Sequence, residues 1–345
     1  MINYFQYDGQ FKVESGEKLE GIQIAYSIYG NPNATKVIWV CHALSGNSEV
    51  LDWWPGLFGE NRLFDPVNYK IICANVLGGC YGSSGAESSQ NPSTFPLITI
   101  KDIVKAHILL ADHLGVNEID LLIGPSLGGQ QAVEWAVQQA SRHKQLILIA
   151  CNAAHSALGR AFNETQRLAL KADPTFGKKK GGAKGLKAAR AIAMLSYRSY
   201  EDFEIKQTDF QRKKDDFKAS SYVRYQGEKF INRFSANAYY TLTKAMDSHD
   251  VARGREGSQA EVLSWIEAKT LVVGISSDLL FPLDEQRFLA NHIPGAELGV
   301  INSVHGHDAF LINYDVLEKI IADFLWNDFK SYKPTSLKRR NHILN

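Results

Sequence analysis

The sequence predicts an α/β fold, a mostly parallel central sheet with an inserted helical lid, and three observations carry that expectation. First, a glycine-rich turn, Gly124-Pro125-Ser126-Leu127-Gly128, joins a strand-like apolar run, Ile119 to Ile123, to a helix-like segment, Gly129 to Ala140. Second, two later strand-like runs, Thr270 to Ile275 and Ala296 to Ile301, each feed a loop rich in titratable side chains. Third, Ala157 to Gly257 changes character between these halves, becoming charged and helix-rich with aromatic residues interleaved. A chain of 345 residues that is 45% hydrophobic can bury a sizeable core. The core is expected over residues 1–155 and 260–345, and the lid over 156–259.

The first strand-like run, Lys36 to Cys41, ends in His42-Ala43-Leu44-Ser45-Gly46. The second ends in the glycine-rich turn, whose G-x-S-x-G pattern between strand and helix is the nucleophile elbow of α/β-hydrolase folds. There a sharp turn lifts a serine hydroxyl clear of the sheet while the glycines let neighbouring backbone approach. Ser126 is therefore the candidate nucleophile. Such a serine needs a base and an orienting acid, which follow in the order Ser, Asp or Glu, His. The third run delivers Ser276-Ser277-Asp278 and the fourth Val304-His305-Gly306-His307-Asp308, so Ser126, Asp278 and His307 stand in that order at three strand ends.

Ten histidines compete for the base. His107 and His113 lie on the amphipathic segment Asp102 to Leu114, where a surface helix accounts for them. His143, His292 and His342 sit in polar, solvated surroundings. His305 is the real competitor; His307 is preferred because Gly306 gives the turn room and a helix-like run follows from Phe310. Asp284 competes with Asp278 but reads as the first turn of a helix, Glu285 to Ala290, where an acid is ordinary. The developing oxyanion needs two donors: the amide of Leu127, and an amide of the loop after the first run, assigned to Leu44. His42 is read as bracing that loop.

Composition narrows the function class. Lys plus Arg is 38 against 37 Asp plus Glu, a net charge of +1, which gives no support for nucleic-acid binding. No stretch approaches the roughly 20 apolar residues needed to span a bilayer, and the N-terminal segment lacks the pattern of a signal peptide. Four cysteines, Cys41, Cys73, Cys80 and Cys151, without C-x-x-C or paired-histidine spacing, point to neither disulfides nor zinc. The expectation is a cytoplasmic enzyme with no metal. Lys178-Lys179-Lys180 reads as a solvated surface loop, with attraction of an anionic coenzyme as the alternative, and the tail after Pro334 as frayed.

Several ordered blocks resemble the homoserine O-acetyltransferases of methionine biosynthesis. They are the loop His42 to Gly46, Trp53-Trp54-Pro55-Gly56-Leu57, Asn75-Val76-Leu77-Gly78-Gly79 through Gly85, Ala154-His155-Ser156-Ala157, Asn232-Arg233-Phe234, and Gly306-His307-Asp308-Ala309-Phe310. The resemblance implies acetyl transfer from acetyl-coenzyme A, a co-substrate and not a permanently bound cofactor, to the side-chain hydroxyl of L-homoserine through an acyl-serine. It also implies that Arg190 binds the homoserine carboxylate, that Tyr197 lies near the same substrate, that Asp308 takes the ammonium, and that a homodimer forms through the lid. The bland readings are a solvated helix face for Arg190 and a helix cap for Asp308.

The chain departs from the family pattern at the elbow, where Pro125 and Leu127 replace the usual glycine and methionine, at Met194, where histidine is common, and in a shorter, more basic loop from Phe176 to Lys184. Succinyl-coenzyme A as donor, L-serine as acceptor, and an esterase in which water takes the acyl group remain open alternatives.

Overall fold

The computed structural model describes residues 2–31, 34–89 and 91–326. Its strands are β1 (Ile2–Lys12), β2 (Lys18–Gly30), β3 (Val37–Val40), β4 (Lys70–Ala74), β5 (Ile119–Pro125), β6 (His143–Ile149), β7 (Lys269–Ile275) and β8 (Glu297–Ile301). They form one sheet in the order β1-β2-β4-β3-β5-β6-β7-β8. β1 pairs antiparallel with β2, and β2 with β4; the remaining pairings are parallel. Parallel strands need crossovers, and these are supplied by helices.

The strands from β3 to β7 are almost continuously apolar because both faces of the sheet are covered. Alternation along each strand divides them between two cores. Trp39, Leu122, Leu146, Leu148 and Val272 face one side with α2 (Ile100–His113) and α3 (Leu127–Gln138). Ile38, Val40, Leu121, Ile123, Ile147, Ile149, Leu271 and Val273 face the other, with α11 (Tyr314–Trp326) and the short α1 (Val50–Trp53). α9 (Gln259–Leu263) precedes β7, and α10 (Leu283–His292) follows it.

Between β6 and β7 the chain also forms α4 (Ala157–Lys171), α5 (Ala183–Tyr197), α6 (Tyr200–Gln207), α7 (Lys218–Ile231) and α8 (Ala236–Asp247). α5 packs against both α4 and α7, and α4 against α8. Phe230, Phe234 and Tyr239 are buried there, whereas Phe217 and Tyr225 stand exposed.

Two histidines overturn their surface reading. His107 is buried on α2, its Nε2 3.0 Å from Gln131 Oε1 and its ring stacked on Trp135. His143 opens β6, equally buried, edge-on to the same tryptophan at 5.5 Å. Burial lowers their pKa values to about 4 and about 3, so both are neutral rings that pack as aromatics. Polarity in sequence did not reveal that α3 lies over them. His342 and the tail after Pro334 lie outside the described residues.

Candidate active site

β5 ends at Pro125 and α3 begins at Leu127, so Ser126 alone makes the turn. Its backbone takes φ 57° and ψ −125°, a conformation L-residues rarely hold. Tight packing enforces it. A Cβ on Gly124 would lie 2.2 Å from the Gly128 carbonyl oxygen, one on Gly128 2.0 Å from that of Cys41, and one on Gly129 2.5 Å from the Cβ of Cys151, just past β6. Only glycine lets strand, helix and the loop after β3 meet so closely. The Ser126 amide donates to the Ile149 carbonyl at 2.9 Å, pinning the turn to β6. Pro125 is accommodated at the strand end, where Ser126 still makes that bond.

Three strand ends then converge. His307 Nε2 lies 2.9 Å from Ser126 Oγ, and His307 Nδ1 2.6 Å from Asp278 Oδ2. The other carboxylate oxygen accepts the amides of Leu280 and Phe281 at 2.8 and 2.9 Å, so its orientation is fixed from two sides. All three side chains are buried, and the Phe281 ring lies 5.2 Å from the imidazole. Burial disfavours the charged imidazole, but the Asp278 charge and hydrogen bond, with Asp308 adding to them, outweigh it and raise the His307 pKa above its ordinary value. The pair is thus set to take a proton from the serine and hold it.

His305 points elsewhere, with Nδ1 2.6 Å from Asp202 Oδ1 on α6. Asp284 is exposed in the first turn of α10 and pairs with Arg287 at 2.7 Å. His42 braces its loop: it accepts the Val76 amide on Nε2 at 3.2 Å, which leaves Nδ1 to donate to Ala43 at 2.8 Å, and burial lowers its pKa to about 4. The same loop is held against α3 by Gln131, whose Nε2 donates to the His42 carbonyl at 3.2 Å. Leu44 and Leu127 are both buried, and neither amide has an acceptor among the described residues.

On the lid side, the Arg190 guanidinium stacks over Phe230 at 4.8 Å and Tyr197 at 5.1 Å. Its Nε and Nη1 are buried without a hydrogen-bond partner among the described residues; the residue is not on a solvated helix face. The Tyr197 ring lies 5.7 Å from that of His307. Asp308 is no simple helix cap, for its carboxylate pairs with Arg198 at 3.2 Å. Arg198, and Asp202 behind it, escaped the reading of the sequence; a lone arginine after a helix carries no local signal. Met194 is fully buried, and Lys178, Lys179 and Lys180 are exposed. Among the described residues no cluster of His, Cys, Asp and Glu is placed to hold a metal ion.

A strained serine on a strand-to-helix turn, followed by a buried histidine and aspartate in hydrogen-bonded series, defines an α/β-hydrolase-fold enzyme. The chain matches the alpha/beta hydrolase fold family over residues 36–314. It is 46% identical over 323 residues to a homoserine O-acetyltransferase from Cyclobacterium marinum, a match covering 90% of this chain and 92% of that one. The crystal structure of homoserine O-acetyltransferase from Staphylococcus aureus is 30% identical and superposes with a TM-score of 0.82 over 97% of both chains. An acetylester hydrolase from Corynebacterium glutamicum, 25% identical, gives a TM-score of 0.82 over 95% of this chain and 96% of its own. The chain belongs to the homoserine O-acetyltransferase family.

Proposed function

We propose that this enzyme moves an acetyl group from acetyl-coenzyme A to the side-chain hydroxyl of L-homoserine by way of acetyl-Ser126. His307 removes the Ser126 proton as Oγ attacks the thioester carbonyl, Asp278 stabilises the imidazolium, and the amides of Leu44 and Leu127 receive the oxyanion. The C–S bond breaks, and the proton passes to the departing thiolate. Homoserine then enters; His307 takes its hydroxyl proton, its oxygen attacks the acetyl carbonyl, and collapse of the intermediate returns the proton to Ser126. Arg190 binds the acceptor carboxylate and Asp308 its ammonium, with Tyr197 against the substrate between them. Acetyl-coenzyme A is consumed in each cycle and is not a resident cofactor.

The observation that carries this reading is the Arg190 guanidinium, one ring away from His307, whose Nε and Nη1 are buried without partners among the described residues. A cation so placed is costly, and a bidentate carboxylate is the ligand its planar fork fits. A plain esterase has no use for it. The test is intact-protein mass spectrometry with acetyl-coenzyme A alone, followed by a matrix of acetyl or succinyl donor against homoserine or serine acceptor. The proposal expects an adduct on Ser126 and O-acetyl-homoserine as the main product; donor hydrolysis unchanged by homoserine would overturn it. The likeness to an acetylester hydrolase supports that second reading, in which water takes the acetyl group.

The proposal extends to a homodimer through the lid, supported by the exposed Tyr200, Ile205, Phe210 and Tyr225 on and between α6 and α7. Light scattering on wild-type and Phe210→Glu protein reads it. Among the described residues no helix is long and apolar enough to cross a membrane, and the four cysteines are free; a cytoplasmic location, where coenzyme A thioesters are made, fits both.

A further inference from the structure

The carboxylate assigned to the acceptor ammonium is already engaged. Asp308 Oδ2 lies 3.2 Å from Arg198 Nη2, while Arg198 Nη1 lies 3.4 Å from Asp202 Oδ2. Asp202 is buried, and its Oδ1 is held by His305 Nδ1 at 2.6 Å and Lys206 Nζ at 2.7 Å. Its amide is capped by Ser199 Oγ at 3.0 Å, and the Ser199 hydroxyl donates to the Val304 carbonyl. The α5–α6 junction is thereby fastened to the loop that carries His307. Gly306 completes the contact: at φ +65° it lies so close to this junction that a Cβ would be 2.8 Å from the Ser199 amide nitrogen and 2.8 Å from the Tyr197 carbonyl oxygen.

This arrangement bears on acceptor binding more than on the nucleophile. Ser126, His307 and Asp278 complete their hydrogen bonds without Arg198. Asp308, in contrast, has Arg198 as its charged partner, and a carboxylate free to rotate would present the ammonium with no fixed geometry. Resting on the function proposed above and deepening it, we propose that Arg198 is a positioning residue for the amino-acid acceptor: it holds the Asp308 carboxylate beside His307 and is itself held by Asp202. The bridge also keeps Asp308 compensated while no substrate is bound, so that an arriving ammonium joins or displaces a cation already in place.

Arg198→Met, Arg198→Lys and Asp202→Asn test this by separating the two half-reactions. Acetylation of Ser126 by acetyl-coenzyme A, followed by intact mass in the absence of acceptor, is expected within about two-fold of wild type, whereas KM for homoserine rises at least about ten-fold in Arg198→Met. Arg198→Lys restores part of the loss, and Asp202→Asn falls between. The acetylation rate doubles as the control for folding. Equal slowing of both half-reactions, or an unchanged homoserine KM in Arg198→Met, would overturn the positioning role. Wild-type protein run alongside distinguishes the failures: if it makes O-acetyl-homoserine, only the role of Arg198 is wrong; if it makes none, the proposed function falls and this inference with it.

Discussion

Around Ser126 each polar atom of the serine–histidine–aspartate series has a partner at 2.6–2.9 Å. One aromatic ring away, across Tyr197, Arg190 holds two buried nitrogens that have none among the described residues. The first cluster is complete as it stands, and its rigidity fixes the direction of proton transfer. The second is incomplete in a manner that costs stability. Among the described residues other buried polar atoms also lack partners, Trp39 Nε1 and Gln286 Oε1 among them, but only those of Arg190 belong to a cation stacked on a ring that touches His307, where a ligand carboxylate would supply the missing acceptors. The chemistry is preassembled, and recognition is left open.

Changes to the complete cluster should have the largest effects. Ser126→Ala is expected to abolish the acyl adduct and lower the transfer rate by about 10⁴-fold or more, and Asp278→Asn by about 10⁴-fold, read by steady-state kinetics. Next comes the open cluster. Arg190→Met should raise KM for homoserine about 10- to 100-fold, since a charge-assisted contact of about 1.5–3 kcal/mol is lost. Its thermal midpoint should stay at or above wild type, because the substitution removes a charge set among aromatic rings whose Nε and Nη1 have no partner among the described residues; a fall in both stability and activity would contradict the contrast between the clusters. Gly128→Ala should cost about 1–3 kcal/mol in urea unfolding, since its Cβ meets the Cys41 carbonyl and pushes the Leu44 loop aside.

Two smaller effects depend on pH. His307 must be neutral to accept the serine proton, and its pKa is raised, so kcat/KM should climb with pH through a midpoint above that of an ordinary imidazole. Asp308→Asn should move this midpoint down. Glu285, on α10, is raised to about 7, chiefly by burial, with the charge of Asp278 contributing. A carboxyl whose folded pKa is raised contributes stability that is present at low pH and lost as pH rises from its ordinary 4.5 to about 7. Glu285→Gln should therefore be more stable than wild type at pH 8 and little different at pH 5, by thermal melting.

Much of this was legible in the sequence, but unevenly. The run Ile119 to Ile123 became β5 with two residues added, and Thr270 to Ile275 and Ala296 to Ile301 became β7 and β8 within one residue at their starts. Those strands are apolar and end in turn residues. β1 and β2 carry no clear strand signal in the sequence, because β1 is largely solvent-facing and polar or small side chains interrupt the apolar run of both, although the middle of β2 is buried. His107 and His143 were misplaced for the converse reason: their burial is imposed by Trp135 from another element.

The sequence alone determined the order of strand and helix at the elbow, the turn that carries Ser126, and the chain order of Ser126, Asp278 and His307, because these follow from short-range periodicity and glycine chemistry. Its preference for His307 over His305 rested on a turn; tertiary structure places His307 against Ser126 and His305 against Asp202, and it alone decided that Arg190 turns inward and that Arg198 pairs with Asp308. Those outcomes depend on side chains far apart in the chain, such as the Asp202–His305 pair at a separation of 103 residues. No local pattern encodes which of two neighbouring histidines a lid helix will claim.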